Sequence, residues 1–498
     1  MRTRIRSCRR FAIVVAVGLV GAGCATIDRV NTSSTGAQAN ADSGPIGLGV
    51  VAAVSGTGRY VAFDSKATNL VKNVTDGLSH VYRKDRKTGF TIAVDRDSSG
   101  ALSTKPSFAA AISDNAHSVA FITAAALTSN DLNQLSDLYV RDITTGTTVL
   151  VSIMPNGSQI PTGTGAGVST AKFDGFGRVL FEVGAGTLPP RNRLELRDLA
   201  AGTTIEVLGN SKVTDIFFSY NGEHVVYNTG CFEVAGCSPS PGLIDGLNPF
   251  PFSPPACAGS TVAGLSDDGR YVVYNRSSNG VGCTSGVGRF DRQTGTWLDF
   301  GLALATANVT GISGDGRYVS FFAPDTLLPG GSPGFRGFFG RDLVTGWTGR
   351  LSAGALGGAA NATEAATDTS VLSRDGRSLV FTSAASNLVG GDGNGLRDVF
   401  GRALPRAGIA GLTPAAVARG ATTTISITGE EFVSGVIASL SGTGVTVNSA
   451  TPSANGHTLT VSVSVASGAA IGARTVTITN VGGFGGVQSL CVGCLTVT

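Results

Sequence analysis

The sequence predicts an all-β protein in two parts. Glycine accounts for 71 of the 498 residues, and no stretch of twelve residues shows the 3.6-residue periodicity of an amphipathic helix. Short alternating apolar runs, separated by turn residues, recur along the chain. A phrase that ends in an aromatic residue also returns seven times before about residue 404. A chain of this length needs more than one core unless a repeat spreads the core out.

The repeated phrase reads "VSGTGRYVAF", "LSDDGRYVVY", "ISGDGRYVSFF" and "LSRDGRSLVF" in its clearest copies. The final aromatic residues are separated by 58, 60, 46, 47, 47 and 60 residues, and are Phe63, Phe121, Phe181, Tyr227, Tyr274, Phe321 and Phe381. Asp-Gly between an apolar strand and an alternating strand supplies the positive φ angles of a hairpin turn. Strand-only repeats of this length are typical of four-stranded propeller blades. We therefore predict a seven-bladed β-propeller over residues 24–404.

A second signal follows the aromatic residue in five of the seven copies. The stretches "KDRKTG", "RDITTG", "RDLAAG", "FDRQTG" and "RDLVTG" place an aspartate four residues before a glycine, at Asp85, Asp142, Asp198, Asp291 and Asp342. We interpret them as outer hairpin turns, in which the aspartate accepts hydrogen bonds from backbone amides. Functional use of these acids is the alternative, but five equivalent copies favour the structural interpretation.

On these phrases the chain resembles the TolB-type β-propeller family, whose repeats carry Ser-x-Asp-Gly-Arg/Lys followed by an aromatic-ended strand. The resemblance covers about residues 26–404. It implies the propeller fold, but members serve as periplasmic partner-binding proteins and as regulatory domains of peptidases. The resemblance therefore implies no single reaction.

The tail has a different character, since charge nearly vanishes from about Gly408 and Thr/Val/Ser strands take over. "GLTPAAVARGATTTISITGEEF" resembles the opening of an IPT/TIG immunoglobulin-like domain, with a proline after the first strand and Gly-x-x-Phe after the second. The resemblance implies an immunoglobulin-like β-sandwich over residues 405–498. Such domains usually act as spacers or adhesion modules.

The first 23 residues predict an export signal. "MRTRIRSCRR" carries five arginines and no acid, and the apolar run that follows is too short for a comfortable membrane span. "GAGC" resembles the lipobox of bacterial lipoproteins, which implies lipidation of Cys24; ordinary cleavage after Ala25 is the alternative. Removing this segment lowers the net charge from +3 to −2, which disfavours nucleic-acid binding. We expect a lipid-anchored protein on the periplasmic or cell-surface face of a bacterial membrane.

Six cysteines remain besides Cys8 and Cys24. An even number is what disulfide pairing in an oxidising compartment requires. They are Cys231, Cys237, Cys257, Cys283, Cys491 and Cys494, and the natural pairs are successive ones. A zinc site is the alternative for "CVGC", which has no second CxxC and no nearby histidine. Residues 231–257 contain six prolines and three cysteines, so we predict an irregular, disulfide-pinned loop in the fourth repeat and a recognition surface there.

Two acidic stretches are candidate calcium loops. "DGNGLRD" places Asp392, Asn394 and Asp398 at positions one, three and seven, and "DLNQLSD" does the same with Asp131, Asn133 and Asp137. Oxygen ligands at this spacing suit calcium, although neither loop has the terminal glutamate of a calcium loop. The alternative, which we favour, is a polar turn held by side-chain hydrogen bonds. No other cofactor is expected.

Catalytic patterns are scarce in this chain. Its four histidines, His80, His117, His224 and His457, are scattered, and no nucleophile elbow or phosphate loop is present. The sequence favours a monomeric binding or scaffold protein that uses the propeller face and loops to bind a protein or glycan of the cell envelope. The alternative is an envelope hydrolase, lyase or quinoprotein with its site in the propeller pore.

The two ends of the repeat region predict how the ring closes. The seventh copy runs into Pro405 without an outermost strand, while "RVNTSSTGAQANA" (29–41) aligns without gaps to "RLSAGALGGAANA" (350–362), the outer strand of the sixth copy. We predict that residues 26–31 pair with the strand around 398–403, which would remove two exposed sheet edges.

Overall fold

The computed structural model describes residues 27–44, 52–160, 167–184, 193–209, 213–229, 240–246, 248–250, 260–276, 285–300, 307–327, 332–344, 348–354, 359–364, 369–404, 408–430, 432, 435–453, 456–480 and 487–498. These residues divide into two compact units, the first within residues 25–406 and the second beginning at residue 407. The described residues contain strands, one 3-10 turn at Asp325–Leu327 and no α-helix. Within them, no helix is long and apolar enough to cross a membrane.

The first unit consists of short strands. The strands of its first half are β1 (Ile27–Arg29), β2 (Ala53–Val54), β3 (Tyr60–Ser65), β4 (His80–Asp85), β5 (Thr91–Ala93), β6 (Ser107–Ile112), β7 (Ser118–Thr123), β8 (Asp137–Asp142), β9 (Thr148–Leu150), β10 (Gly167–Phe173), β11 (Arg178–Gly184), β12 (Arg193–Asp198) and β13 (Thr203–Leu208). Those of its second half are β14 (Val213–Phe218), β15 (His224–Thr229), β16 (Ser240–Asp245), β17 (Asn248–Phe250), β18 (Thr261–Leu265), β19 (Tyr271–Arg276), β20 (Gly286–Asp291), β21 (Thr296–Asp299), β22 (Asn308–Ile312), β23 (Tyr318–Pro324), β24 (Arg336–Asp342), β25 (Thr348–Arg350), β26 (Ser370–Leu372), β27 (Ser378–Ser383) and β28 (Asp398–Ala403).

Among the described residues these strands form seven four-stranded antiparallel sheets. Sheets 1 to 6 each use four consecutive strands, from β2–β5 to β22–β25, and sheet 7 has the order β26-β27-β28-β1. The first strand of each sheet lies innermost, next to the first strand of the following sheet, and β26 lies next to β2. One strand from every sheet therefore faces a common central channel.

Sheet 7 joins the two ends of the unit. β1 pairs antiparallel with β28, with Ile27 opposite Arg402 and Arg29 opposite Phe400, which is the pairing that the sequence alignment predicts. The backbone N–H of Val30 continues the pairing by donating to the carbonyl of Val399 at 2.7 Å. The outermost edge of this sheet is thus supplied by the beginning of the described chain.

The repeated phrase is a hydrogen-bonded turn. In the fifth copy the Ser266 hydroxyl donates to Asp268 at 2.6 Å and accepts the backbone N–H of Tyr271 at 2.9 Å. Asp268 also accepts the N–H of Arg270, and Gly269 has φ 71°, a left-handed conformation that glycine adopts without strain. The side chain of Arg270 then reaches Asp291 with two bonds of 3.0 and 2.7 Å. The phrase and the second signal are therefore two halves of one structural clamp.

The aspartates of the second signal all occupy turns between the third and fourth strands. Each accepts the backbone N–H two residues further on, at 2.7 to 3.0 Å, in Asp85, Asp142, Asp198, Asp291 and Asp342. The Arg clamp depresses the pKa of Asp291 to about 2, mainly through the hydrogen bond from Arg270. The structural interpretation of these acids agrees with the hydrogen bonding.

Stacked aromatic pairs join the second and third strands of four sheets. Ring centroids lie 5.7 to 5.9 Å apart in Phe63–Tyr82, Phe121–Tyr139, Phe321–Phe339 and Phe381–Phe400. Sheet 3 departs from this pattern, because the residue opposite Phe181 is Glu195. Sheet 4 has Gly242 there, and a side chain at this position would collide with the ring of Tyr227.

Sheet 4 corrects the sequence prediction of an irregular loop over residues 231–257. β16 and β17 give this sheet four strands, although they include Pro241 and Pro249. Pro249 lies in the edge strand, and Pro241 lies before Leu243, where the pairing with β17 starts. In an edge strand, a proline whose nitrogen faces away from the sheet removes no ladder hydrogen bond. Cys231, Cys237, Cys257 and Cys283 lie outside the described residues.

The second unit contains two four-stranded sheets. Its strands are β29 (Gly408–Thr413), β30 (Ala416–Val417), β31 (Thr422–Glu430), β32 (Ile437–Leu440), β33 (Val445–Pro452), β34 (Thr458–Val465), β35 (Gly472–Asn480) and β36 (Val487–Val497). The sheet orders are β29-β31-β34-β33 and β30-β36-β35-β32. They share one apolar core, which includes Phe432, Leu459, Ile478 and Leu495. The Cα atoms of Cys491 and Cys494 lie 5.6 Å apart, a separation typical of a disulfide.

Candidate functional site

The central channel of the first unit is the candidate site. Its volume is about 880 Å³, and it is lined by residues of all seven inner strands. Much of the lining is small or apolar, as in Ala52–Val54 and Ala110–Ile112. A concave cavity of this size, with a few convergent polar groups, is typical of ligand-binding sites.

Charge in the channel is concentrated on sheets 3 and 4. Lys172 and Glu182 come from the first two strands of sheet 3, and Asp215 comes from the inner strand of sheet 4. Ser169 donates its hydroxyl proton to Glu182 at 2.6 Å, which orients this buried carboxylate. Burial lowers the pKa of the Lys172 ammonium, and the charge of Asp215 opposes that effect. We call these three residues the charged wall.

Aromatic and amide groups adjoin the charged wall. Phe173, Phe217 and Phe218 are partly buried and line the same side of the channel. The amide of Asn228 donates to Asp215 at 3.2 Å and exchanges two hydrogen bonds with the backbone of Val262 in sheet 5. Rings and planar polar groups side by side offer both a stacking surface and directional hydrogen bonds.

The channel is closed at one end by the repeated turns. Backbone hydrogen bonds link them from sheet to sheet, for example Gly56 N–H to Asp114 O at 3.2 Å and Gly314 N–H to Arg374 O at 2.7 Å. In sheets 2, 4, 5 and 7 the residue after the serine of the phrase has a side chain, and these side chains meet one another. Arg374 of sheet 7 makes two bonds of 3.0 Å to Asp114 of sheet 2 and one of 2.7 Å to Asp267 of sheet 5.

Tyr220 of sheet 4 completes this cluster, because the guanidinium of Arg374 lies 3.8 Å from the centre of its ring. The side chain of Arg374 is 38% exposed, so the cluster lies at the surface. Residues from sheets 2, 4, 5 and 7 thus meet around one arginine, and the charges of Arg374, Asp114 and Asp267 are engaged with each other.

The histidines take part in the fold of individual sheets. His80 is buried, and its two ring nitrogens contact Asp95 at 2.8 Å and Asp76 at 2.9 Å; although burial opposes it, these carboxylates raise the pKa of His80. His224 contacts Asp245 at 2.6 Å within sheet 4. Neither histidine lines the channel as described.

The calcium candidates occupy equivalent loops of sheets 2 and 7. In sheet 7, Asp392 and Asp398 pair with Arg29 from β1, whose guanidinium lies 3.3 Å from Asp392 and 3.2 Å from Asp398, while Asn394 donates to the carbonyl of Ala39. The two aspartates therefore contact a cation that the chain itself supplies.

Asp131, Asn133 and Asp137 lie together in sheet 2, where Tyr139 donates to Asp131 and Ser152 donates to Asp137. Burial raises the pKa of Asp137 to about 6. Within the described part of the chain, no group of three or more His, Cys, Asp or Glu residues could hold a metal ion.

The charged wall, the Arg374 cluster and the Arg29 ion pairs were missed by the sequence analysis. A signal for the second was available, since aligning the phrases shows that the residue after the serine is Gly, Asp, Tyr, Asp, Gly and Arg in the six copies that have this serine. Charged residues at one repeat position are expected to converge in a ring.

No protein-family model and no curated protein matches the chain. Its structure is similar to an oligogalacturonate lyase in complex with manganese, at 14% identity and TM-score 0.50, over 78% of this chain and 99% of that one. It is also similar to TolB from Acinetobacter baumannii, at 10% identity and TM-score 0.36, over 69% and 80% of the two chains. A third is the β-propeller domain of the Trilobed protease from Pyrococcus furiosus, at 12% identity and TM-score 0.43, over 70% and 95%.

At these identities the likeness concerns the fold alone. The chain is all-β, and its structural neighbours are TolB-like and other β-propeller proteins. Likeness of fold carries no function to this chain, so the function has to be argued from the channel itself.

Proposed function

We propose that this protein is an exported, lipid-anchored binding protein of the bacterial cell envelope. Its first unit is a seven-bladed β-propeller that binds a protein or glycan partner in the open part of the channel and on the adjoining loops. Its second unit is an immunoglobulin-like sandwich of the IPT/TIG type that acts as a spacer. Anchoring would be through Cys24, and the chain would act as a monomer.

One observation carries the binding proposal: the channel is a concave site of about 880 Å³ whose polar groups converge on one side. The charged wall, the amide of Asn228 and the nearby phenylalanine rings offer hydrogen bonds and stacking to the same bound group. This combination suits a sugar ring, whose hydroxyl groups hydrogen-bond while its C–H face packs on an aromatic ring. A glycan is therefore the ligand that we would test first.

The experiment compares retention of envelope fractions by the wild-type protein and by the channel variant Asp215→Trp. Asp215 is exposed within the channel, so the larger side chain should occupy channel space without disturbing a core. A matched control is Val344→Trp, because Val344 is exposed on an outer turn. We expect the polysaccharide fraction to be retained by wild type and control, but not by Asp215→Trp. Equal retention by all three would show that the channel is not the site.

A second candidate function is supported by one residue, Lys172. Because burial lowers its pKa, its amine could serve as a general base in an enzyme of the hydrolase or lyase type. If the protein turns over a retained glycan, Lys172→Met should abolish turnover of the glycan that the variant still retains. Turnover that survives in Lys172→Met would remove this candidate.

A further inference from the structure

Two loops of the first unit share one backbone conformation. Residues 131–137 connect β7 to β8 in sheet 2, and residues 392–398 connect β27 to β28 in sheet 7. The fourth residue of each loop has a positive φ, 59° at Gln134 and 68° at Gly395. A positive φ is unusual for glutamine, so its presence at the equivalent position shows that the two loops follow the same path.

The asparagine at the centre of each loop makes the same contacts. In sheet 2 the side chain of Asn133 accepts the backbone N–H of Leu135 at 2.9 Å and donates to the carbonyl of Ile160 at 3.2 Å. In sheet 7 Asn394 accepts from Leu396 at 3.0 Å and donates to Ala39 at 3.1 Å. The hydrogen-bonded frame around the acidic residues is therefore equivalent in the two sheets.

In sheet 7 an arginine sits between the two acids. Arg29 is largely buried, with its Nε atom 3.2 Å from Asp398 Oδ2 and an Nη atom 3.3 Å from Asp392 Oδ1. Gln38 donates to the same two oxygen atoms at 3.1 and 2.9 Å. The negative charge of this pair is thus compensated within the fold.

The residue of sheet 2 that corresponds to Arg29 in the outer strand is a leucine, Leu150. Arg29 lies opposite Phe400 in sheet 7, and Leu150 lies opposite Tyr139 in sheet 2. Phe400 and Tyr139 both follow the first acid of their loop by eight residues, so the positions correspond. Leu150 is buried and carries no charge.

The consequence is visible on Asp137, which is fully buried. Its Oδ1 accepts the hydroxyl proton of Ser152, but its Oδ2, which corresponds to the oxygen that meets Arg29 in sheet 7, has no hydrogen-bond partner among the described residues. Asp131 is also buried, and it accepts hydrogen bonds from the Gln159 amide at 3.2 Å and from the Tyr139 hydroxyl. Within the described chain neither carboxylate has a lysine, arginine or histidine nitrogen within 4 Å.

We propose that residues 131–137 bind a hard divalent cation, with Ca²⁺ as the natural candidate, through Asp131 and Asp137 in the position that Arg29 fills in sheet 7. Two buried carboxylates require a compensating charge, and oxygen atoms are the ligands that calcium prefers. Waters and loop carbonyls would complete the coordination shell.

The site adjoins the candidate binding channel. The carbonyl of Ser136 accepts the backbone N–H of Val168 at 3.0 Å, which ties the loop to the inner strand of sheet 3. The next residue along that strand, Ser169, hydrogen-bonds Glu182 of the charged wall. An ion in the loop would therefore stabilise the strand that positions part of the channel lining.

The test is isothermal titration calorimetry of the protein with CaCl2 at neutral pH, after bound metal has been removed with a chelator. We expect one ion per chain for the wild type, no binding for Asp131→Asn and Asp137→Asn, and unchanged binding for the matched control Asp392→Asn in sheet 7. The wild type should also melt a few degrees higher in millimolar calcium than in chelator, and Asp137→Asn should show no such rise.

A variant that introduces the positive charge of sheet 7 into sheet 2 sharpens the test. Leu150→Arg copies the sheet 7 arrangement into sheet 2, so it should abolish calcium binding while it stabilises the calcium-free protein. If this variant does not fold, the Asn variants still decide the question. The proposal is overturned if the wild type binds no calcium at millimolar concentration, if Asp137→Asn binds as well as wild type, or if Asp392→Asn loses binding to the same extent.

Discussion

Sheets 2 and 7 are built on one plan and differ in how they balance charge. Both place two buried or nearly buried acids and an asparagine in the loop between their second and third strands, and both anchor the asparagine in the same way. Sheet 2 uses four consecutive strands, whereas sheet 7 takes its outer strand from residues 27–29. That borrowed strand also brings Arg29, the cation of the pair.

The difference shows that repeats can share their hydrogen bonding and still differ in how their buried charge is neutralised. Side-chain to backbone hydrogen bonds are copied from repeat to repeat, because they depend on residues only a few positions apart. Neutralisation of the acids is specific to each sheet, because it depends on whichever residue the outer strand supplies. In sheet 7, closure of the ring and neutralisation of buried charge therefore depend on the same short segment.

The largest expected effect is that of deleting residues 27–34. The deletion removes β1 and the ion pairs of Arg29, the hydrogen bonds of Asn31 to Asp398 and Val399, and the contact of Lys84 with Thr32. It leaves an open edge on sheet 7. We expect the melting temperature of the first unit to fall by roughly 10 °C or more.

A synthetic peptide of residues 27–41, added to this deletion variant, should restore part of the lost stability. A deletion variant that melts at the wild-type temperature would contradict the idea that β1 closes the unit. Calorimetry of the variant, with and without the peptide, measures both outcomes.

Replacing Arg29 by methionine tests the comparison directly, because it makes sheet 7 resemble sheet 2. Asp398 would then lose its cationic partner while it stays buried, and removing one partner of a buried pair costs about 3 kcal/mol. Urea denaturation in chelator should show this fall in the free energy of unfolding. If the loop frame suits calcium, the variant should also gain a calcium response that the wild-type sheet 7 lacks.

The conservative variant Arg29→Lys is the control and should lose less, since it keeps the charge. A loss below about 1 kcal/mol for Arg29→Met would mean that the acids are compensated in another way. This result would weaken the contrast between the two sheets.

In sheet 3, the effect of a buried acid on stability should depend on pH. Glu195 occupies the place of a stacked aromatic residue, is fully buried, and has no hydrogen-bond partner for either carboxylate oxygen among the described residues. Burial, assisted by the charge of Glu206, raises the pKa of Glu195 to about 7 from 4.5. Because the folded state holds the proton more tightly, its contribution to stability is present below pH 4.5 and is lost as the pH rises to about 7.

Glu195→Gln should therefore leave stability unchanged near pH 4 and raise the free energy of unfolding by about 3 kcal/mol at pH 8. Chemical denaturation at both pH values measures the difference. Stabilisation that is equal at pH 4 and pH 8 would show that the proton on Glu195 is not involved.

The smallest expected effect concerns Arg374 at the closed end of the channel. Because its ion pairs with Asp114 and Asp267 are partly exposed, Arg374→Met should cost only about 1 kcal/mol at low salt, and less as salt is added. Arg374→Lys keeps the charge but not the two parallel bonds to Asp114, so it should lie between wild type and Arg374→Met. A loss that does not change with salt would indicate that packing on Tyr220, rather than charge, is the main contribution.

The fold was more accessible from sequence than the site. The hairpin turns, the turn aspartates and the pairing of β1 with β28 were predicted from the repeated phrases, because each copy can be aligned with the others. The proline-rich part of sheet 4 was predicted wrongly, because the count of prolines does not reveal which of them fall on an unpaired strand side. The two acidic loops share four of seven residues, including both acids and the asparagine, so the loops themselves did not reveal that the outer strand supplies Arg29 in one sheet and Leu150 in the other.

The sequence by itself determined the all-β character, the repeat period and the chemistry of each turn. These features depend on hydrogen bonds and backbone angles within a few residues, so they are written locally and repeated visibly. The tertiary structure decided which charges meet: Arg29 with Asp398, Arg374 with Asp114, and Lys172 near Asp215. Each of these contacts joins residues from different repeats or from opposite ends of the first unit's sequence. Their energies depend on distance through space and on burial, which no spacing along the chain records.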